Sequence, residues 1–203
     1  MTTFNENVLY INHTKVIRRD AMSRMEKLLS QYAAYHLDKK NIMTHFIGIP
    51  LIVFSIMCLT AKIGFSIAGF SITLTAFLIV LLVLYYLSLD IFFGILIGIL
   101  FILVYPSSVL IADMSTVHWL FLSIATFIIG WVFQFVGHFY ERKKPAFMDD
   151  IIGLAIGPLF VMAEFVFIFG FRKQLKKTIL EEAKRLRHEM DGQTLSINVA
   201  KDS

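Results

Sequence analysis

The sequence predicts an all-α protein: an integral membrane helical bundle of four spans plus a broken or re-entrant fifth apolar segment, with amphipathic N-terminal and C-terminal helices. Three observations predict it. Hydrophobic residues form 57% of the 203-residue chain and come in long runs, such as Ile91–Ile111 and Val117–Val136, not at the scattered spacing of a soluble core. About 20 apolar residues in helix reach across a hydrocarbon layer of roughly 30 Å, and backbone groups in lipid must bond within their own segment, so the runs are helices. Finally, the 19 Lys and Arg residues lie almost wholly outside these runs, which argues for attraction to anionic headgroups and against a nucleic-acid partner.

In order, residues 1–14 read as a loose polar tail. Residues 15–37 read as an amphipathic surface helix, because Met22, Met25, Leu28, Leu29, Tyr32 and His36 recur at helical spacing. Asp38-Lys39-Lys40-Asn41 is expected to break it. Span one covers about Phe46–Ala61, with Pro50 in its first turns and Lys62 able to snorkel at its end. Span two covers Ile67–Leu89 and span three Ile91–Ala112, joined by a tight turn at Ser88 to Asp90. Span four covers Val117–His138. The polar loop Phe139–Asp150 follows, then the apolar stretch Ile151–Phe171, and then a charged tail that is helical to about Met190. The chain therefore divides into a polar N-terminal region (1–44), a membrane domain (45–171) and a charged cytoplasmic tail (172–203). The single cysteine, Cys58, can form no intrachain disulfide. A polar region precedes the first apolar run, which reads as an anchor and not a cleaved signal peptide.

Basic residues set the expected topology. Seven Lys/Arg precede His45, three lie in the 139–150 loop and eight follow Phe171, whereas the opposite connections hold only Lys62. Four spans place the N-terminus and the 139–150 loop together in the cytoplasm. A fifth full span would put the most basic segment outside. Gly157-Pro158 offers a place to break the fifth stretch, since proline lacks an amide hydrogen and crowds the preceding turn. Five spans with a kink is the alternative.

Three of the six histidines then share one depth: His36 before span one, His45 at its opening and His138 at the close of span four. Glu141 follows His138 by three residues and shares its helix face. Glu164 lies inside an apolar stretch, where an ionisable group is costly and marks a candidate functional site. Two histidines with a carboxylate are the usual ligands of non-haem Fe(II). Against this, an interfacial histidine is commonly a hydrogen-bonding residue, Glu141 in ERKK reads as an ordinary solvated charge, and Glu164 can pair with Arg142, Lys143 or Lys144. No dinucleotide, phosphate-loop, paired-cysteine or nucleophile-elbow motif is present. By spacing alone, the residues amount to a candidate metal site.

The stretch YAAYHLDKKNIMTHFIGIP (Tyr32–Pro50) resembles the Y-x-x-Y-H…N-x-x-x-H…P opening of the fungal-type 2-hydroxy fatty acid dioxygenase family. IGWVFQFVGHFYERKKPAFMDD (Ile129–Asp150) is similar to that family's G-W-x-x-Q-F-x-G-H…E block, and GPLFVMAEFVFIFGF (Gly157–Phe171) to its P-x-F…E-F close. The resemblance implies a multi-span, Fe²⁺-dependent oxidoreductase. Such an enzyme takes a 2-hydroxy fatty acid and O₂ and releases the acid one carbon shorter, a step of fatty acid alpha-oxidation and sphingoid-base degradation. By position, the motif histidines are His36, His45 and His138 and the motif acids Glu141 and Glu164; the expected ligands are His45, His138 and one more of His36, Glu141 and Glu164, with Glu141 and Glu164 also in catalytic roles. Arg142, Lys143 and Lys144 would guide the substrate carboxylate, and Asn41 and Gln134 are candidates to orient the imidazoles. The expected location is the endoplasmic reticulum in a eukaryote or the cytoplasmic membrane in a bacterium, with the active site facing the cytoplasm. A non-enzymatic membrane scaffold or lipid-binding protein is the alternative reading of the spans and basic tails.

Overall fold

The structure, a computed structural model, describes residues 21–67, 70–142 and 152–201. Lys143, Lys144 and the tail before Ala21 lie outside the described residues.

Helix α1 spans Arg24–Ala34. Its start is a capping box: the Ser23 hydroxyl accepts from the Glu26 amide at 3.1 Å, and the Ser23 amide donates to Glu26 Oε2 at 2.7 Å. Met25, Leu29 and Tyr32 face inward. The helix stops short of the expected His36, which sits in the turn that follows. Helix α2 (Lys39–Ala61) begins earlier than span one was expected to. Asp38 is its N-cap, accepting from Lys40 N at 2.7 Å and Asn41 N at 3.4 Å. The Asp-Lys-Lys-Asn stretch therefore starts a helix instead of only ending one, and His45 lies in the second turn of α2.

A second departure follows Lys62. The expected head of span two is a β-hairpin, with β1 (Gly64–Ile67) antiparallel to β2 (Phe70–Thr73) and Phe65 opposite Ile72. GFSI and FSIT interleave serine with branched or aromatic residues at period two, which suits a strand better than a lipid helix. Helix α3 (Leu74–Leu89) starts only at its Thr73 cap. Asp90 then ends α3 and caps α4 (Ile91–Ala112) by accepting from Phe93 N at 3.1 Å, the tight turn expected there. Helix α5 (Thr116–Glu141) follows, then α6 (Ile152–Ile168) and α7 (Lys173–Lys201). Helix α6 stays helical through Gly157-Pro158. Among the described residues, the regular elements are helices, the hairpin apart.

Helices α2, α4 and α5 are long and apolar enough to cross a membrane, while α3 and α6 are shorter apolar helices. Large side chains on α4 and α5 point outward, among them Ile102, Leu103, Val117, Phe121 and Phe139, as expected of helices whose solvent is lipid. Helices α2 and α5 pack antiparallel through glycines. A Cβ on Gly48 would lie 2.7 Å from the Gly130 carbonyl oxygen, and one on Gly130 would lie 2.9 Å from that of Gly48. Small residues let lipid-embedded helices approach this closely.

Contacts sort the bundle into two ends. At one end, Lys62 Nζ donates to Ala112 O at 2.6 Å and Trp119 Nε1 to Cys58 O at 2.8 Å. At the other, Arg172 pairs with Asp90 at 3.2 Å and Arg187 with Glu141 at 2.9 Å. The core at this second end joins Leu29 of α1, Phe93 of α4, Leu159 of α6 and Ala183 of α7.

Candidate metal centre

The C-terminus of α1 leaves carbonyls without helical partners, and the chain folds back to use them. His36 Nδ1 lies 2.6 Å from Tyr32 O. In the second turn of α2, His45 Nδ1 lies 2.9 Å from Asn41 O. A carbonyl only accepts, so each Nδ1 carries the hydrogen and each neutral ring presents a lone pair at Nε2. Those two Nε2 atoms face each other at 3.0 Å. Lone pairs at that distance repel, and a shared cation relieves them.

His138, in the last turn of α5, closes the group. Its ring centroid is 5.0 Å from His36 and 5.1 Å from His45. One ring nitrogen from each histidine falls within 4.8 Å of the others, and all three side chains are buried. Among the described residues, this is the group of His, Cys, Asp and Glu able to hold a metal. The donor set fits one: neutral imidazoles suit Fe, Zn, Cu and Ni. Burial, then the neighbouring His45, holds the His36 pKa well below the usual imidazole value, so this ring is neutral.

The surroundings fix the rings. Tyr32 stacks flat on His36, at 4.2 Å and 5°, and Phe160 of α6 lies against both. Gly137 makes room for the α2–α5 approach: a Cβ there would collide with Thr44 Oγ1 and Asn41 Oδ1 and sit 3.2 Å from His45 Nδ1.

The carboxylates lie differently from the histidines. Glu141 is buried, but its oxygens face the turn between α1 and α2. Oε2 accepts from Asp38 N at 2.8 Å and Asn41 Nδ2 at 3.1 Å, and Oε1 accepts from Arg187 at 2.9 Å. Arg187 also donates to Ala34 O at 2.7 Å, and Asn41 Nδ2 to Tyr35 O at 3.3 Å. The carbonyls of Ala34, the last residue of α1, and of its C-cap Tyr35 are satisfied in this way. Glu164 is half-buried on α6, one turn beyond Phe160, under the charge of Lys176, and is not part of the three-histidine group. Arg142 is exposed and caps α5 in a left-handed conformation at φ 55°.

A cavity of about 230 Å³ opens beside His138. Ile52 and Ile56 of α2, Phe127, Trp131 and Gln134 of α5, and Gly157 of α6 line it. A second cavity, of about 320 Å³, lies beyond Ile49, Val53 and Pro158 and is walled wholly by apolar side chains. Sequence reasoning missed Arg187, which sits in a tail of alternating charges with nothing local to mark it. It also missed the roles of Tyr32 and Phe160; for Tyr32 the i to i+4 spacing to His36 was a usable signal.

Comparison with known proteins adds three findings. No solved structure matches the chain. The chain is 36% identical over 153 residues to the 2-hydroxy-palmitic acid dioxygenase MPO1 of Saccharomyces cerevisiae, covering 74% of this chain and 84% of that protein. A family model described as 2-hydroxy-palmitic acid dioxygenase Mpo1-like matches residues 22–168, a segment that contains all three histidines, Glu141 and Glu164. The chain belongs to the Mpo1-like family.

Proposed function

We propose that this protein is an Fe(II)-dependent membrane dioxygenase that converts a 2-hydroxy fatty acid and O₂ into the acid one carbon shorter, CO₂ and water. The observation that carries the metal is the pair of facing Nε2 lone pairs, 3.0 Å apart, with both Nδ1 hydrogens committed to carbonyls. The reaction comes from the family and from the yeast relative's activity. The substrate gives up all four electrons that O₂ takes, so the balance requires no further reductant.

His36, His45 and His138 would hold the ion. When bound, Fe(II) supplies Lewis acidity and the one-electron chemistry that lets O₂ react with a closed-shell acid. The protein's part is positioning. The Tyr32 and Asn41 carbonyls hold two rings in one tautomer and one orientation. Glu141, Asn41 and Arg187 lock the turn that carries His36. Buried aromatic walls keep bulk water from the reacting carbons. Glu164 is the carboxylate left over for proton transfer, and Arg142, Lys143 and Lys144 draw the substrate's carboxylate toward the site's end of the bundle.

We also infer that the site faces the cytoplasm of a multi-pass protein, with α2 to α5 crossing and α6 returning to its side of entry. Two contacts support this: Arg172, just after α6, meets Asp90, and Arg187 meets Glu141, both at the end of the bundle that carries His36. In the sequence, the basic residues fall before His45, in the 139–150 loop and after Phe171. The test is to purify the protein, measure its iron, and follow 2-hydroxypalmitate and O₂ consumption against release of the shortened acid. Iron at one per chain and loss of turnover in His138→Ala are expected. A metal-free protein, or an unimpaired variant, would overturn the reading.

A further inference from the structure

Tyr32 serves His36 twice. Its backbone carbonyl accepts from His36 Nδ1 at 2.6 Å, and its ring lies flat on the His36 ring, 4.2 Å away. Neither contact uses the hydroxyl. The residue is 8% exposed, and the hydroxyl makes no hydrogen bond among the described residues. A buried tyrosine normally pairs its hydroxyl, and a polar group desolvated without a partner is costly. This one stands on the cavity beside His138, which Tyr32, Ile49 and Gly157 line together. A Cβ built on Gly157 would lie 3.3 Å from the hydroxyl oxygen and 3.1 Å from Ile49 Cδ1. The glycine therefore keeps the space in front of the hydroxyl open. Against the expectation from sequence, Gln134 turns its Nε2 into the α2–α5 seam against Gly48 and makes no bond to an imidazole through it.

We propose that Tyr32 is a specificity-determining residue: its hydroxyl hydrogen-bonds the substrate's 2-hydroxyl and so distinguishes a 2-hydroxy acid from an unsubstituted fatty acid. The proposal rests on the dioxygenase reading above and deepens it. Among the described residues, no Lys or Arg lines the cavity. A carboxylate buried there without a countercharge would be costly, so the acid group belongs at the metal-capable histidines. A neutral hydroxyl needs only a neutral partner, and a phenol can both donate to it and accept from it. Carbons 1 and 2 of the substrate are bonded to each other, so one head group reaches both places: Tyr32 stacks on His36 and shares the cavity wall with His138. The contacts that fix His36 thus also fix the hydroxyl, which finds its partner only in the complex.

Tyr32→Phe removes the hydroxyl and keeps both the ring that stacks on His36 and the carbonyl that accepts from it, so bound iron should be unchanged. The protein contains two tryptophans, and Trp131 lines the cavity while Trp119 lies at the opposite end of the bundle. In full-length, iron-loaded Trp119→Phe protein kept free of O₂, Trp131 emission therefore reports occupancy without turnover. Titrated with 2-hydroxypalmitate and with palmitate, this protein should favour the hydroxy acid. Adding Tyr32→Phe should weaken 2-hydroxypalmitate about fivefold, the net worth of one neutral hydrogen bond, and leave palmitate unchanged. Gly157→Ala puts a methyl in front of the hydroxyl and should also reduce the preference, with the phenol still in place. Unchanged 2-hydroxypalmitate affinity in Tyr32→Phe with iron retained would overturn the inference. So would an equal loss for both acids, which would mean that the hydroxyl reads the carboxylate or only packs. An undiminished preference in Gly157→Ala would overturn it even if Tyr32→Phe fails to fold. A wild-type protein without iron or turnover would instead sink the dioxygenase reading, whichever acid the cavity prefers.

Discussion

At the scale of single residues, the site depends on hydrogen positions. Because Tyr32 O and Asn41 O each accept from an Nδ1, the two Nε2 lone pairs point at one another at 3.0 Å, an arrangement that a bound cation would relieve. On the proposed iron-dependent reading, a chelator should abolish turnover and lower the thermal midpoint. Fe(II), but not Zn(II), should restore turnover, measured as O₂ uptake with 2-hydroxypalmitate. Gly137→Ala tests the same geometry from the other side. Its methyl would push on Thr44, Asn41 and the His45 ring. Overpacking of this kind costs about 1–3 kcal/mol, and the expected outcome is lost iron together with a lower unfolding midpoint in detergent. Retained iron would mean that α2 and α5 have more play than the glycine contact implies.

At the scale of elements, α7 holds the histidine-bearing turn closed. Arg187 reaches from α7 to the end of α1 at Ala34 and the end of α5 at Glu141, and the Glu141 side chain is only 2% exposed. Breaking a buried pair by removing one partner strands the other charge and costs about 3–5 kcal/mol. Arg187→Met should destabilise the protein by that order. Adding Glu141→Gln should recover part of the loss, because the stranded charge disappears while the Asp38 and Asn41 donors keep an acceptor. Chemical denaturation of the two single variants and the double variant measures the coupling. The exposed Arg185–Glu189 and Lys177–Glu181 pairs of α7 should each matter by roughly 0.5 kcal/mol or less.

At the scale of the whole molecule, the arrangement of ends makes a topological prediction. Reporters fused at the two termini should map to the same side of the membrane, and a reporter in the β1–β2 hairpin should map to the other. Protease protection on sealed vesicles reads both, and termini on opposite faces would show that α6 crosses. The hairpin was not foreseen because GFSI and FSIT are apolar enough to extend a span by composition. Their period-two pattern is short, and only the pairing of Gly64 with Thr73 and Ile67 with Phe70 shows that the helix starts later.

What was legible in the sequence was whatever local chemistry dictates. The apolar runs made α2 to α5 helices, since lipid leaves the backbone no outside partner. The Lys and Arg distribution put His36, His45 and His138 at one depth, and the motifs around them pointed to the family. What the tertiary structure decided was direction. Sequence spacing placed Glu141 beside His138, yet its carboxylate is turned toward Asp38, Asn41 and an arginine 46 residues away. The N-cap at Asp38 moved His45 into a helix, where Asn41 O could orient it. Hydrogen bonds between residues far apart in the chain leave no periodicity behind, so which ring nitrogens face one another could be read only once α1, α2 and α5 had been packed together.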